Sequence, residues 1–381
     1  MRIGLNATCF NDRPSGANRR FFSIYGEVIR QNPEIEFFIY EAADYPAARH
    51  FSGAANVIAR PTPLPSVGRI ERTLRGAVFW PRTLPADGLD LFETFSLPVI
   101  IGAPCPVLLT IHDLRPIRRE EPLIARLMAK AVLHHGFSAA RHVIAVSETV
   151  KDEISSIHRG GAVSTVYNGI DVGAFAPPDM GCRWAVPQEF LLSVGHIEPR
   201  KNFGLLVDAV ALLRAQGLSR PLVLVGRDGG GMATLRRRIA GQGVGDLVTI
   251  IEDADDGAMR ALYERCRMVA VPSRYEGFGI PLLEAMAARR ALVTSDIPVF
   301  RELTEEWGAC FPIDDAKAAA VVIERVWSDA EERARLVAHG AERVKSFDIE
   351  TPARRIGALY RELASASAIR PRADVKEWKR S

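Results

Sequence analysis

The chain has 381 residues, of which 48% are hydrophobic and 25% are charged, and its net charge is +3. This length suggests two domains of ordinary globular composition. The last twelve residues hold five basic and two acidic side chains, so the remainder of the chain is close to neutral. A nucleic-acid-binding body would carry a basic face, and we therefore expect no nucleic-acid partner.

The sequence carries no signal for insertion in a membrane or for export. No apolar run is as long as a membrane span, and no secretory signal opens the chain. The five cysteines are odd in number and scattered without metal spacing, which is typical of a cytoplasmic protein. The basic tail, residues 367–381, is interpreted as a disordered soluble terminus. The alternative is peripheral attraction to the anionic inner face of a membrane.

Short apolar runs alternate with helical patterns through the N-terminal half. Strands are predicted at Ile3–Leu5, Glu36–Tyr40, Asn56–Ala59, Asp90–Thr94, Val107–Ile111, Val143–Val146 and Val163–Val166. Helices are predicted at Ala17–Arg30, Glu121–Ala140 and Glu148–Ile157. This alternation predicts an α/β domain over residues 1–174, with a parallel sheet covered on both faces.

A proline- and glycine-containing break at residues 175–188 is interpreted as an interdomain linker. The same alternation then resumes and predicts a second doubly wound domain over residues 189–348. Its strands are predicted at Phe190–Val194, Leu222–Val225, Leu247–Ile251, Met268–Val271 and Ala291–Thr294. Its helices are predicted at Phe203–Gln216, Gly231–Ala240, Asp256–Arg265, Pro281–Arg290, Asp315–Trp327 and Ala330–Lys345. A last helix, residues 349–366, is expected to cross back to the N-terminal domain.

Chemistry-bearing residues follow the predicted strands. Gly16 opens the helix after the first strand, His112 follows Val107–Ile111, and a Gly195–Lys201 loop follows Phe190–Val194. Open α/β sheets bind ligands beyond the carboxyl ends of their strands. Two such crevices facing each other would form one interdomain cleft.

The stretch from Glu276 to Glu284 follows a predicted buried strand and reads as a glycine-rich loop that opens a helix at Pro281. Proline suits the first helical turn, and glycines let a backbone approach a ligand closely. The helix N-terminus suits a phosphate, and a carboxylate accepts hydrogen bonds from the diol of a sugar or ribose. The combination predicts a site for a nucleotide sugar.

Several ordered motifs resemble those of the retaining GT-B glycosyltransferases of family 4. Glu276 and Glu284, with seven residues between them, resemble the family's E-x7-E motif. The other matching stretches are Ser193–Asn202, Thr110–Leu114, Tyr167–Asp171 and Ser15–Arg19. The resemblance implies the GT-B fold, in which two Rossmann-like domains face each other across a cleft.

The resemblance also implies donor-binding roles. Glu276 would contact hydroxyls of the donor sugar, and Glu284 would hold the ribose diol. Backbone groups of Gly277, Phe278, Gly279 and Ile280 would contact sugar and phosphate. Arg200 and Lys201 would neutralise the diphosphate, together with Gly195 in the C-terminal domain and Gly16 in the N-terminal one.

His112 would lie beside the anomeric centre, so the resemblance gives His112, Glu276, Arg200 and Lys201 as catalytic candidates. His196 stands where many family members have arginine, which leaves the diphosphate more dependent on Arg200 and Lys201. Acceptor-binding residues are not identified by the sequence, and Arg19 and Asp113 are the candidates. For Asp113 a turn or cap role is the alternative.

The acidic loop Glu252–Asp256 has three interpretations. Asp253 and Asp255 have the spacing of a metal-binding pair, but Asp255 also precedes a helix that it would cap. The third is recognition of a nucleotide base, because Glu252 and Asp253 could accept the N–H donors of guanine. We favour the cap and base recognition, and we expect no metal and no cofactor.

The stretch Arg69–Trp80 is basic and amphipathic, with Ile70, Leu74 and Val78 on one face. A core helix with one solvated side is the first interpretation. The alternative is contact with a membrane or a lipid-linked acceptor.

The sequence therefore predicts a metal-independent, retaining hexosyltransferase that uses a nucleotide-sugar donor and a glycan or lipid-linked acceptor. GDP-mannose and a cell-surface polysaccharide or lipopolysaccharide precursor are the preferred substrates. The alternatives are a UDP-sugar donor, a nucleotide-sugar hydrolase or epimerase, and a non-catalytic nucleotide-sugar-binding protein.

Overall fold

The computed structural model describes residues 1–12, 16–95, 102–118, 122–175 and 184–368. The chain divides into two compact units. The first unit comprises Met1–Val146, Val150–Tyr167 and the chain from Glu350 onward, and the second comprises Ser147–Thr149 and Asn168–Ile349.

The first unit alternates strands and helices. Its strands are β1 (Arg2–Asn6), β2 (Glu36–Glu41), β3 (Val57–Pro61), β4 (Leu91–Thr94), β5 (Val107–Ile111), β6 (His142–Ala145) and β7 (Val163–Thr165). Its helices are α1 (Gly16–Gln31), α2 (Arg69–Asp87), α3 (Leu123–Ala139), α4 (Glu148–Ile157) and the C-terminal helix, α12 (Glu350–Ala368). The strands are short, β4 and β5 are fully buried, and β1, β2 and β6 are buried except at their first residue, which is typical of a parallel sheet covered by helices.

Within the described residues the first sheet has the order β3-β2-β1-β4-β5-β6-β7, and its strand pairs are parallel. The chain moves in one direction across the sheet through α1 and in the other through α2 and α3. Right-handed crossovers therefore place α1 on one face and α2 and α3 on the opposite face. The first face holds the larger core, which joins α1 and α12 to the sheet.

A buried carboxylate connects both helices of that face to the sheet. Glu93 of β4 is fully buried and accepts hydrogen bonds from Tyr25 of α1, Tyr360 of α12 and Thr110 of β5. Burial raises the pKa of Glu93, against the effect of these hydrogen bonds and of Arg20. The network fixes α12 against the first unit, as expected for a last helix that returns to it.

The second unit repeats the alternation. Its strands are β8 (Leu191–Val194), β9 (Leu222–Val225), β10 (Val248–Ile251), β11 (Met268–Val271), β12 (Ala291–Ser295) and β13 (Ala309–Phe311). Its helices are α5 (Phe203–Ala215), α6 (Met232–Gly241), α7 (Asp256–Arg265), α8 (Ile280–Ala287), α9 (Pro298–Thr304), α10 (Ala316–Ser328) and α11 (Ala330–Arg343). The described strands form one parallel sheet with the order β10-β9-β8-β11-β12-β13.

The strand order of the second sheet reverses between β8 and β11. From β8 the chain proceeds outward through β9 and β10, and it then returns to place β11 on the other side of β8. Such a reversal leaves a crevice at the carboxyl ends of the two strands, which is where open α/β sheets bind ligands. The loops after β8 and β11 therefore mark the candidate site of this unit.

The predicted strands and helices are present in the structure, with ends that differ by a few residues. Elements that the sequence did not reveal are α9 and β13, whose lengths of 7 and 3 residues are too short for a period to show. The helix at Arg69 extends beyond Trp80 to Asp87, although Pro81 and Pro85 lie inside it. Before the chain returns to the first unit at Glu350, it leaves that unit after Tyr167, earlier than the predicted boundary at 174.

The interpretation of Arg69–Trp80 as a core helix is wrong, because the apolar face formed by Ile70, Leu74 and Val78 is not buried. Ile70, Leu74 and Val78 are 78%, 68% and 57% exposed, whereas Trp80 and Leu84 make the buried contacts of α2. Both of these side chains lie at or beyond the end of the predicted stretch. The helix therefore packs through its second half and leaves the predicted stripe in solvent.

Two sequence predictions lie mainly outside the described residues, namely the linker, of which 176–183 are not described, and the basic tail from 369. In the part of the chain that is described, no helix is both long and apolar enough to cross a membrane.

Candidate active site

The loop after β8 is built as a tight turn. Gly195 has φ of +149°, and a Cβ there would lie 3.2 Å from Cε of Lys201. Pro199–Lys201 form a single 3₁₀ turn, which ends at Asn202 in the left-handed conformation before α5 begins. Asparagine tolerates this conformation better than most residues. The turn brings Lys201 back beneath Gly195 at the carboxyl end of β8.

The loops after β8 and β11 are joined by hydrogen bonds. The Arg274 backbone N–H donates to the Arg200 carbonyl at 2.8 Å, and the Arg274 guanidinium donates to the Pro199 carbonyl at 2.7 Å. In return, the Arg200 guanidinium donates to the Tyr275 carbonyl at 3.0 Å. These contacts hold the cationic turn against the Glu276 loop.

Glu276 lies between the two predicted cations. One carboxylate oxygen accepts from Lys201 Nζ at 2.5 Å and from Ser273 Oγ at 2.8 Å. The other accepts from the Arg200 guanidinium at 2.5 Å, and Arg200 also pairs with Glu198 at 2.8 Å. Glu276 and Lys201 are each only 8% exposed, so this ion cluster is largely removed from solvent.

The cluster fixes the charge state of Glu276. Burial alone would raise the pKa of this carboxyl, but Lys201 and Arg200 outweigh burial and lower it to about 2. Glu276 is therefore ionised at neutral pH and is not a proton donor. An anionic ligand that binds near Arg200 and Lys201 would compete with this carboxylate for their positive charge.

The helix after the loop carries the second glutamate. Gly279 has φ of +134°, and a Cβ there would lie 2.9 Å from the Phe300 ring, so only glycine fits. Pro281 lies in the first turn of α8, as predicted. Glu284 is 2% exposed and accepts a hydrogen bond from the buried Tyr263 hydroxyl at 2.6 Å.

The remaining backbone candidates lie between these glutamates. Gly277 and Phe278 are buried and Ile280 is half-buried at the start of α8. The second unit thus brings together Gly195, Arg200, Lys201, Glu276 and this loop at one edge of its sheet. Two cations, a helix N-terminus and a buried carboxylate at that edge suit an anionic ligand that also carries hydroxyl groups.

His112 belongs to the first unit and follows β5. Its Nε2 is buried and makes no hydrogen bond within the described part of the chain. Burial lowers the pKa of His112 to about 3, and the neighbouring Arg20 guanidinium contributes to the lowering. The imidazole is therefore neutral at physiological pH and offers a nitrogen to a ligand without a charge.

The other first-unit candidates lie at the same carboxyl edge. Gly16 is the exposed first residue of α1, and Ser15 lies outside the described residues. Arg19 is exposed in the first turn of α1. Asp113 accepts a hydrogen bond from the Arg115 backbone N–H at 3.0 Å, which is the turn role that the sequence offered as its alternative.

The acidic loop after β10 contains a helix cap. Asp255 accepts from the Ala258 backbone N–H at 2.8 Å and caps α7, as predicted. Glu252 and Asp253 are exposed, and Glu252 forms an ion pair with Arg236 at 3.4 Å. No group of three or more histidine, cysteine or acidic side chains suited to a metal ion occurs among the residues that the structure describes.

Two family models match successive parts of the chain. "Glycosyltransferase Family 4" matches residues 14–173, and "Glycosyl transferases group 1" matches residues 183–343. This chain belongs to glycosyltransferase family 4. The two matches together include every predicted site residue.

Relatives of this chain include the O-antigen chain mannosyltransferase RfbU of Salmonella typhimurium, which is 28% identical over 57% of this chain and 60% of its own length. The chain thus covers less than two thirds of that relative. The phosphatidyl-myo-inositol mannosyltransferase of Mycolicibacterium smegmatis is 26% identical over 96% of this chain and 95% of its own. Sucrose-phosphate synthase from Thermosynechococcus elongatus shares the GT-B fold, with a TM-score of 0.75 and 23% identity over 96% of this chain and 100% of its own.

Four residues at this site were not found from the sequence. Ser273 and Glu198 contact the Glu276–Arg200 cluster, Arg274 joins the two loops, and Tyr263 contacts Glu284. Glu198 lies within the Ser193–Asn202 stretch, and Ser273 and Arg274 lie just before the Glu276 motif, so their position in the sequence was the signal that could have found them. Tyr263 lies on α7, 21 positions before Glu284, and no local pattern connects the two.

Proposed function

We propose that this chain transfers a mannosyl residue from GDP-mannose to a hydroxyl of a glycan or lipid-linked precursor of a cell-surface polysaccharide or lipopolysaccharide. The anomeric configuration would be retained, and neither a metal nor another cofactor would be required. The observation that carries the proposal is the buried Glu276 carboxylate held between Arg200 and Lys201 at the switch point of the second sheet.

This cluster suits a donor whose leaving group is a diphosphate. Arg200 and Lys201 supply fixed positive charge, and the N-terminus of α8 adds the positive end of a helix dipole. Charge accumulates on the diphosphate as the glycosidic bond breaks, so preorganised cations at that position lower the barrier. Arg200 and Lys201 thereby supply the positive charge that a divalent cation would otherwise supply to the diphosphate.

The charge state of Glu276 supports a binding role in this mechanism. Its pKa of about 2 keeps it ionised, so it accepts hydrogen bonds from sugar hydroxyls and donates none. Both of its oxygens are engaged by cations, which makes it a poor nucleophile. We therefore propose attack by the acceptor on the face that the leaving group departs from, without a covalent glycosyl-enzyme.

His112 would contact the donor sugar through Nε2. This atom is buried and has no hydrogen-bond partner among the described residues, which is costly unless a ligand supplies one. The neutral ring adds no positive charge beside an anomeric carbon that becomes electron-poor in the transition state.

The choice of mannose and guanosine has separate support. Both relatives named above are called mannosyltransferases. Glu252 and Asp253 are exposed after β10, and the ion pair of Glu252 with Arg236 is exposed and therefore weak. A guanine edge could displace that pair, because it offers N–H donors to a carboxylate.

A donor screen tests the proposal. Thermal unfolding of the full chain would be followed with GDP-mannose and with UDP-, ADP- and dTDP-sugars, since a ligand of the native state raises its stability. We expect GDP-mannose to raise the melting temperature most. A larger rise with a UDP-sugar would contradict the assignment of GDP-mannose as the donor.

Product analysis then separates transfer from other reactions. Labelled mannose should enter a lipid-extractable or polymeric product only when an acceptor preparation is added, and chelation of divalent cations should leave the rate unchanged. Release of free mannose at the same rate without acceptor would identify a hydrolase. Donor binding without turnover across acceptors would identify a binding protein.

A further inference from the structure

The turn that carries Arg200 and Lys201 is short and is held from outside. It is a single 3₁₀ turn, Pro199–Lys201, which we call the cationic turn. Two of its own backbone hydrogen bonds close it, from the Lys201 N–H to the Glu198 carbonyl at 3.0 Å and from the Asn202 N–H to the Pro199 carbonyl at 3.3 Å. Turns of this type have poorer hydrogen-bond geometry than an α-helix. The position of the two cations therefore depends on the contacts that the turn makes with its neighbours.

One carboxylate, Asp314, contacts the supports of both ends of the cationic turn. Asp314 follows β13, and its Oδ1 accepts a hydrogen bond from the side-chain amide of Asn202, the residue after the turn, at 3.0 Å. The same oxygen accepts from Nε of Arg274 at 2.8 Å and lies 2.7 Å from its Nη2. Arg274 in turn donates to the carbonyl of Pro199, the first residue of the turn, at 2.7 Å. Asp314 thus reaches one end of the turn directly and the other through Arg274.

The side chain of Asn202 is used for this contact and not for its own helix. An asparagine just before a helix commonly caps it by accepting a hydrogen bond from a backbone N–H. Asn202 is the N-cap residue of α5, but its side chain makes no capping hydrogen bond. Asp315, next to Asp314, does cap its helix, because it accepts from the Ala318 backbone N–H at 2.9 Å. The two adjacent carboxylates therefore have different tasks.

The backbone and the charge of Asp314 suit a bridging role. Its φ is +63°, in the left-handed region that aspartate and asparagine tolerate better than most residues. The hydrogen bond from Arg274 lowers the pKa of the Asp314 carboxyl, and Asn202 adds to this effect. The carboxylate is therefore ionised at neutral pH. The Arg274 and Asp314 side chains are 40% and 52% exposed, and an ion pair that exposed contributes little to stability.

We propose that Asp314 is a positioning residue for the donor diphosphate. Through Arg274 and Asn202 it holds the cationic turn, so that Arg200 and Lys201 meet the diphosphate in a fixed geometry. Preorganised charges stabilise a transition state more than mobile ones, and a small displacement of such groups lowers the rate. Asp314 acts through its two partners and is assigned no contact with the donor. The inference rests on the proposed function, since it assumes that the cationic turn binds a diphosphate.

Asp314→Asn tests the inference in the full chain, because it removes the charge, keeps the size and suits the left-handed backbone. Asp315→Asn is the matched control, since it makes the same change one residue along and asparagine caps a helix equally well. Asp246→Asn is a second control, which breaks an exposed ion pair with Arg214 elsewhere in the second unit. We expect Asp314→Asn to lower the calorimetric affinity for GDP and kcat/KM for mannosyl transfer about fivefold each, as for loss of one exposed ion pair. Both controls should match the parent chain.

A double variant separates positioning from a general loss of structure. In a Lys201→Met background one positioned group is already absent, so adding Asp314→Asn should lower kcat/KM further by about twofold or less. Hydrogen exchange of the cationic turn should also be faster in Asp314→Asn, with exchange of α8 unchanged. A full further fivefold loss in the double variant would indicate a general structural effect and would overturn the inference.

The remaining outcomes distinguish this inference from the proposed function. If the parent chain binds GDP and transfers mannose, and Asp314→Asn does both equally well, the positioning role is overturned and the proposed function stands. If the parent chain neither binds GDP nor transfers mannose, the proposed function is overturned and the inference with it.

Discussion

Glu276 shows how one residue can organise a cationic site before any ligand arrives. Arg200 and Lys201 repel each other, and the carboxylate between them holds both at the edge of the sheet. Breaking such a buried cluster by removing one partner costs about 3–5 kcal/mol in typical proteins. A substitution that keeps the shape of the side chain is therefore the better probe of its chemistry.

Glu276→Gln should separate donor-sugar contact from diphosphate binding. We expect transfer to fall about a hundredfold, in the range typical for loss of an electrostatic contact. The affinity for GDP alone should not fall, because Arg200 and Lys201 remain and lose their competing carboxylate. Transfer rates and calorimetric GDP titration would be measured, with the exposed Glu331→Gln as control. Equal losses of transfer and of GDP affinity would contradict the assigned role.

Tyr263 is expected to act through Glu284. Its buried hydroxyl donates to the Glu284 carboxylate at 2.6 Å, and Tyr263→Phe removes this hydrogen bond with little change in volume. We expect KM for the donor to rise about tenfold while kcat changes little, since one charge-assisted hydrogen bond contributes about 1.5 kcal/mol. A proportional fall in kcat with unchanged KM would show that Tyr263 does not position a ribose-binding group.

Among the elements, α7 shows what one member of an acidic pair does. The sequence Asp253–Asp255 has the spacing of a metal pair, but the Asp255 side chain caps α7. A cap is a structural task, and it can be distinguished from metal binding by substitution.

Asp255→Ala should lower the free energy of unfolding by about 1 kcal/mol, which is typical for loss of an N-cap. Transfer measured with and without a chelator should match the parent chain. Asp315→Ala, which removes the cap of α10, is the matched control for stability. A loss of transfer in Asp255→Ala that added Mg²⁺ or Mn²⁺ restores would contradict the cap interpretation.

Element types were more predictable than element roles. Buried parallel strands can be recognised as apolar runs such as Val107–Ile111, and the described strands were located in this way except for the three-residue β13. For α2 the sequence showed an apolar stripe at Ile70, Leu74 and Val78, but not which side of the helix faces the sheet. Trp80 and Leu84, which decide that, lie at and beyond the end of the predicted stretch.

At the scale of the whole molecule, the pH dependence of stability should differ from that of catalysis. The pKa of Glu276 is about 2 and that of His112 about 3, so neither group titrates between pH 5 and 8 in the folded chain. We expect kcat/KM to be flat over that range. An inflection near pH 6.5 that His112→Gln removes would contradict the neutral imidazole.

Stability should nevertheless fall on acidification. An unfolded His112 takes up a proton near pH 6.5 and the folded one does not, so stability is lost as pH falls below 6.5. Linkage gives a loss on the order of 2 kcal/mol between pH 7 and pH 5. The stability that ionised Glu276 contributes is fully present above its unfolded pKa of 4.5, and it is lost only as the pH falls below that value. Urea unfolding of His112→Gln should show a smaller difference between pH 7 and pH 5 than the parent chain.

The residues proposed to bind the donor could be indicated from the sequence, but their contacts with one another could not. Motif order along the chain indicated Arg200, Lys201, Glu276 and Glu284, because each lies in a stretch with a distinct pattern of glycine, proline and charge. The sequence did not indicate that Glu276 pairs with both cations, since such pairing depends on the crossing of two loops that lie 75 positions apart. Acceptor-binding residues were not identified by the sequence, and the candidates Arg19 and Asp113 stay predictions.

Stabilisation of the departing diphosphate by Lys201 is best tested by comparing mannosyl transfer by Lys201→Met and Lys317→Met. Both variants remove one lysine from the second unit, but Lys201 is buried against Glu276, whereas Lys317 is exposed on α10. With GDP-mannose and an acceptor preparation, we predict that Lys201→Met loses at least about tenfold in kcat/KM and binds GDP more weakly. Lys317→Met should match the parent chain. Equal transfer by all three proteins would contradict the central claim that this site stabilises the departing diphosphate.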